Sequence, residues 1–194
     1  VQGERKIQSI KDLETIQQEY SKHLYYPDGI KVNIGMASCG IAAGAKASLE
    51  TALNTFPQGN GTHICQTGCI GFCEEEPLVE ICATGRPRVI YKHMTADKIC
   101  DAINGYIQGE YNKKWILGQM RDPRSLLESE SENPLFDVQP VEDIPFVEDI
   151  PFYNKQIKIA LRNCGYIDPD SIEEYIARGG YRAFMSALAQ MEPQ

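Results

Sequence analysis

Three cysteines stand at four-residue spacing in His63-Ile64-Cys65-Gln66-Thr67-Gly68-Cys69-Ile70-Gly71-Phe72-Cys73. A fourth, Cys39, sits in a second glycine-bearing stretch, Gly35-Met36-Ala37-Ser38-Cys39-Gly40. Thiolates grouped on such loops suit a metal ion or an iron–sulfur cluster. Gly68 and Gly71 allow tight turns and close backbone approach, which leaves amide N–H groups free to point at sulfur. The expectation is that the two loops meet and hold an iron–sulfur cluster through Cys39, Cys69 and Cys73. Cys65 reads two ways, as a fourth ligand or as a small apolar residue of a strand. Cys82, Cys100 and Cys164 read as structural.

Other uses of the thiols fit less well. Dithiol exchange normally uses Cys-x-x-Cys, which is absent. The plant-type ferredoxin spacing, Cys-x4-Cys-x2-Cys, is absent too. A Rieske-type centre needs two histidines on one iron, and of His23, His63 and His93 only His63 is near the loop. Structural zinc accepts four thiolates and stays open. No glycine-rich dinucleotide fingerprint, P-loop or Ser-His-Asp pattern is present. Gly40-Ile41-Ala42-Ala43-Gly44 opens a helix, and tight packing of the loop is its reading rather than a phosphate site.

Composition sets outer bounds. The chain has 194 residues, 42% of them hydrophobic, and a formal net charge of -8. That is globular, and too acidic for a nucleic-acid partner. Seven cysteines cannot all pair internally. The N-terminus carries no signal-peptide pattern and no apolar run is long enough to span a membrane. A reducing cytoplasm is the expected location, with no membrane insertion.

The elements that must position the thiols read in order as follows. Residues 9–24 form a helix capped by Ser9 with Asp12 three positions on. Residues 30–34 alternate as a strand and lead into the Cys39 loop. A helix runs from Ile41 to Phe56, ended by Pro57-Gln58-Gly59-Asn60-Gly61. Thr62 to Cys65 is a short strand entering the cysteine loop. Pro77 to Cys82 and Arg88 to Tyr91 form a hairpin, and Thr95 caps a helix through Gly105. This predicts an α/β fold: a mixed sheet with flanking helices, thioredoxin-like, with both cysteine loops at one end. Beyond Gly109 the periodicity fades. Ser129-Glu130-Ser131-Glu132-Asn133-Pro134 reads as a solvated loop. The tandem hexapeptides Val141-Glu142-Asp143-Ile144-Pro145-Phe146 and 147–152 read as a linker laying Ile and Phe anchors across a surface. Near the end, Asp168-Pro169 opens a helix that stops at Arg178-Gly179-Gly180, and a last helix runs from Tyr181 to Met191.

Two stretches carry a resemblance. Residues 35–45 (GMASCGIAAGA) and 66–80 (QTGCIGFCEEEPLVE) resemble the thioredoxin-like [2Fe–2S] ferredoxin domain fused to flavoprotein subunits. Those subunits occur in complex I-like NADH dehydrogenases and in NAD-linked, some of them bifurcating, [FeFe]-hydrogenases and formate dehydrogenases. Residues 161–169 (LRNCGYIDP) and 174–181 (EYIARGGY) resemble the opening of the FMN- and NADH-binding domain of the same subunits. The resemblance implies four regions: an N-terminal helix in 1–29, the [2Fe–2S] domain in 30–110, an extended linker in 111–155, and in 156–194 the start of a truncated FMN/NADH domain. It implies an electron-transfer module whose partners are the other subunits of a redox complex and a ferredoxin. FMN, NAD and a [4Fe–4S] cluster would belong to the remainder of the parent subunit, so this chain is not a self-sufficient enzyme and no catalytic residue is assigned. The family's usual first loop is Cys-x4-Cys, and those places fall on Gly35 and Gly40, with Cys39 beside the second. The implied ligand set is therefore Cys39, Cys69 and Cys73, with Cys65 as the nearest replacement for the fourth. The alternative is a cluster-free docking module of the same complex.

Overall fold

Ser9 starts the first helix in the way its spacing predicts. Its N–H donates to Asp12 Oδ2 at 2.9 Å, and the Asp12 N–H donates back to Ser9 Oγ at 3.3 Å. This reciprocal pair satisfies donors that a helix start leaves open. Helix α1 spans Ile10–Tyr25 and buries Leu13 and Ile16. The computed structural model describes residues 7–25, 27–57, 59, 61–121 and 138–191. The expected solvated loop at 129–134 and two residues of the turn at 57–61, Gln58 and Asn60, lie outside the described residues.

Five strands form one mixed sheet in the order β2-β1-β3-β4-β5. They are β1 (Ile30–Gly35), β2 (Thr62–Thr67), β3 (Val79–Ala83), β4 (Arg88–Tyr91) and β5 (Ile116–Met120). β1 runs parallel to β2 and antiparallel to β3, and β3, β4 and β5 pair antiparallel in turn. With its flanking helices this is the α/β, thioredoxin-like arrangement expected. One face holds Val32, Ile34, Ile64, Val79, Ile81, Val89 and Tyr91, packed on helix α3 (Ala45–Thr55) and helix α4 (Ile99–Gln108). Each such side chain, fully closed to solvent, contributes roughly 1.5–3 kcal/mol over an exposed one.

Three local differences have physical causes. The helix expected over 41–56 is two pieces, α2 (Ser38–Ala42) and α3, because Gly44 between them has φ +102°, outside the helical region. The expected linker from 111 instead gives the sheet its fifth strand. The strand escaped the sequence because four of its five residues are buried, so no polar alternation marks it. The hexapeptide repeat does lay anchors, but on the edge of this sheet. Gln119 N–H donates to Pro145 O at 2.9 Å, and Gln119 Nε2 donates to Val141 O and Ile144 O at 3.0 and 2.7 Å. Ile144 and Val147 are buried, whereas Phe152 is 57% exposed.

The tail covers the second face of the sheet. That face carries Lys31, Asn33, Cys65, Glu80 and Cys82, whose positions alternate with the core residues. Helix α5 (Ile172–Ala177) packs on α1 through Ile176 against Leu13 and Ile16, and helix α6 (Arg182–Gln190) follows. The N-cap of α5 is Ser171, which accepts from Glu174 N–H at 3.2 Å, and not Asp168. Asp168 instead accepts from Asp170 N–H at 2.9 Å, a turn upstream of the helix. None of the described helices is long and apolar enough to cross a membrane.

Candidate metal centre

Because β1 and β2 are parallel neighbours, their C-terminal ends lie side by side. Both cysteine loops leave from those ends. Met36 N–H donates to Thr67 O at 2.8 Å, which ties one loop to the other. Cys39 sits in the first turn of α2. Cys69 lies in the loop after β2, and Cys73 opens the one-turn 3-10 helix Cys73–Glu75.

The thiol sulfurs of Cys39, Cys69 and Cys73 all lie within 4.8 Å of one another. No other such group of three potential ligands occurs among the described residues. Cys69 and Cys73 are 3.7 Å apart, Sγ to Sγ. Two sulfurs bound at about 2.3 Å to one tetrahedral metal stand roughly 3.8 Å apart, so this pair has the spacing of two ligands on one metal. Gly71, at φ +92°, turns its N–H to Cys69 Sγ at 3.2 Å. Such a bond compensates charge on a thiolate.

The electrostatics match sulfurs that keep their protons until a cation displaces them. Burial, with the neighbouring thiols, pushes Cys69 up to about 12, against the lowering effect of the Gly71 N–H. Burial also raises Cys39. Glu76 borders this group on the Cys39 side. Its side chain belongs to a buried residue, and Cys39 Sγ donates to its Oε1 at 3.7 Å. Burial raises this carboxyl above the usual range, although the Leu78 N–H and the two thiols lower it.

Cys65 is not one of the gathered sulfurs. It lies opposite Asn33 on the sheet face under the tail, and burial pushes it up to about 11. Cys82 is buried on the same face, and Cys100 Sγ contacts Thr55 Oγ1 at 3.4 Å on the helical side. His63 Nε2 meets Asp28 O at 3.1 Å, and His93 pairs with Glu75 at 2.8 Å. Ile70 is buried beside the loop, and Phe72 is half-buried. Ile70 is buried with Leu78, Ile90, Leu117 and Val147, and Phe72 packs edge-on to Phe152 at 4.9 Å.

Three contacts beside the loop could not be read from the sequence. A Cβ on Gly68 would lie 2.9 Å from Cys164 Sγ, so the glycine makes room for the tail there. Lys158 Nζ donates to Ile70 O at 2.5 Å and to Tyr153 Oη. Glu76 is the third of three consecutive glutamates, and only the fold distinguishes the one turned inward. A Cβ on Gly35 would lie 3.2 Å from Glu76 Oε2, and one on Gly40 would lie at the same distance from that oxygen.

No protein-family model matches the chain. It is 27% identical over 104 residues to the NADP-reducing hydrogenase subunit HndB of Solidesulfovibrio fructosivorans, a match covering 52% of this chain and 82% of that subunit. It is 56% identical over 34 residues to subunit HndC of the same NADP-reducing hydrogenase, covering 18% of this chain and 7% of HndC. Among solved structures it is similar to a thioredoxin-like [2Fe–2S] ferredoxin from Aquifex aeolicus, with TM-score 0.41, 17% identity, and coverage of 50% of this chain and 96% of that one. Over about half its length the chain is thus similar to HndB, and it carries a short segment similar to HndC.

Proposed function

We propose that the chain is a one-electron transfer module, with a [2Fe–2S] cluster held by Cys39, Cys69 and Cys73, in a subunit of a multi-subunit NAD(P)-linked oxidoreductase. The observation that carries this reading is the convergence of three thiol sulfurs, from two separate loops, within 4.8 Å. A [2Fe–2S] cluster supplies the ability to take up and give back single electrons. The protein supplies position and electrostatics. Gly71 N–H offers Cys69 a hydrogen bond that stabilises negative charge on sulfur. Ile70 and the packed pair Phe72 and Phe152 keep water from the inner side of the loop, while exposed Cys73 leaves an outer side open. Lys158 brings a cationic group to the carbonyl of Ile70, next to Cys69.

The relatives support the setting. Both are named as subunits of one NADP-reducing hydrogenase, and this chain joins an HndB-related domain to a short HndC-like segment. The chain therefore fits the N-terminal part of a flavoprotein subunit, with the sheet domain extended beyond 110 to include β5. FMN, NAD and a [4Fe–4S] cluster would be held outside it. Its partners are then further subunits and a ferredoxin, in the cytoplasm.

A second reading, a cluster-free docking module, is favoured by the donor set, which has three sulfurs where four are usual. Anaerobic purification of the chain separates the two. Iron and acid-labile sulfide in equal amounts, with visible charge-transfer absorption, is the expected result. A colourless protein without iron would support docking, and stoichiometric zinc without sulfide would support a structural site.

A further inference from the structure

We infer that the Glu76 carboxylate is the fourth ligand of the site made by Cys39, Cys69 and Cys73. This rests on the proposed cluster reading and extends it to the one donor that reading leaves open. A cluster of two irons needs four protein ligands, and three thiols are gathered. A carboxylate is a competent oxygen donor to iron.

The placement of Glu76 is specific. Its Oε1 lies 3.7 Å from Cys39 Sγ, the same separation as Cys69 and Cys73. The three sulfurs lie within 4.8 Å of one another, and the carboxylate meets them at Cys39. Its other oxygen, Oε2, is fixed by Leu78 N–H at 2.7 Å, so the side chain is held toward the sulfurs. The residue is 6% exposed, and among the described residues no lysine, arginine or histidine pairs with its carboxylate. A buried carboxylate with no cation beside it is costly, and a metal at the thiols would supply the missing positive charge.

Two glycines make the space it occupies. Gly35 and Gly40 both face Glu76 Oε2, each with a would-be Cβ 3.2 Å from it. A side chain at position 40 would also meet Gly35 O at 2.2 Å, so no thiol can enter from that position without moving the backbone. The remaining thiols belong elsewhere: Cys65 and Cys82 face the tail, and Cys164 lies over Gly68 outside the gathered group.

The test uses the full chain, purified or reconstituted anaerobically, in the wild type and in Glu76→Ala, Glu76→Cys, Cys65→Ala and Cys164→Ala. The readouts are iron and sulfide content, reduced-state EPR and Mössbauer spectra. Wild type should show one iron site with an oxygen donor. Glu76→Cys should keep its iron while both sites become sulfur-ligated, with altered EPR g-values. Glu76→Ala should lose the cluster about tenfold faster or more on dilution. Cys65→Ala and Cys164→Ala should match the wild type. The inference is overturned by wild-type spectra in both Glu76 variants, or by loss of the signal in Cys65→Ala or Cys164→Ala. Should Glu76→Ala fail to fold, the Glu76→Cys spectrum decides alone. A wild-type chain without iron and sulfide overturns the cluster reading itself, and this one with it.

Discussion

Lys31 Nζ lies 2.6 Å from Glu174 Oε1, an ion pair that joins the interior strand β1 to the tail helix α5. The lysine side chain is only 3% exposed and that of Glu174 15%. The other Glu174 oxygen accepts from Asp168 N–H at 2.7 Å. Removing one partner leaves the other charge buried and uncompensated, which costs about 3 kcal/mol or more. Glu174→Ala should therefore loosen the tail and raise the thiol-labelling rate of Cys65 roughly 100-fold. Cys100, on the opposite side of the sheet, should label at its wild-type rate. Equal acceleration at both thiols would mean global unfolding, and no change at Cys65 would mean that the pair does not hold the tail.

Arg88 and Glu80 form a second buried contact under the same tail. Arg88 Nε and Nη2 donate to the two Glu80 oxygens, each at 2.9 Å, and Asn33 Nδ2 donates to Oε2 at 2.7 Å. Arg88→Met should destabilise the fold by about 3–5 kcal/mol, read as a lower denaturant midpoint. The double variant Arg88→Met/Glu80→Met should recover much of that loss, because it leaves no orphaned charge. A double variant as unstable as the single one would show that shape, not charge, dominates.

The ligand thiols can be separated by substitution. Cys39→Ala, Cys69→Ala and Cys73→Ala should each abolish the reduced-state EPR signal, because each removes one of the gathered sulfurs. Cys82→Ala should keep the signal, since that thiol is buried on the tail-facing side of β3. A signal of wild-type shape and size in Cys69→Ala would reject the assignment.

Much of this was legible in the chain. The capping pair Ser9 and Asp12, the alternation of β1 and the hairpin of β3 and β4 are local signals, and local geometry followed them. The meeting of the Cys39 and Cys69 loops was legible too, because parallel strands bring their C-terminal ends together. What escaped depends on contacts distant in sequence. Strand β5 has no alternation, because both its faces are covered, one of them by the hexapeptide repeat that packs against Gly118. Cys65 alternates out of the core as a strand residue must, but whether its face meets a metal or a tail is a tertiary fact. Glu76 is chemically the same as Glu74 and Glu75, and its inward turn exists only once Gly35 and Gly40 have left room.

Lys158 gives the site a pH signature. Burial lowers its amine from the ordinary 10.5 to about 8, although Cys164 and Cys69 oppose the shift. A cationic group whose pKa is depressed in the folded state disfavours folding while it is charged. Its cost is complete below about 8, falls as pH rises from there to 10.5, and is gone above that value, whereas the raised thiols of Cys65 and Cys69 act in the opposite sense above about 9. At pH 8 about half of the amine is neutral and nucleophilic, so an acylating reagent should modify Lys158 ahead of exposed lysines. Thiolates around a bound cluster bring negative charge toward Cys69 and should raise the amine's pKa again. The expected outcome is fast labelling of Lys158 at pH 8 in the metal-free chain and several-fold slower labelling after reconstitution, read by peptide mass spectrometry. Equal rates in the two forms would mean that the ammonium does not sense the charge at the thiols, and would remove Lys158 from the electrostatics of the centre.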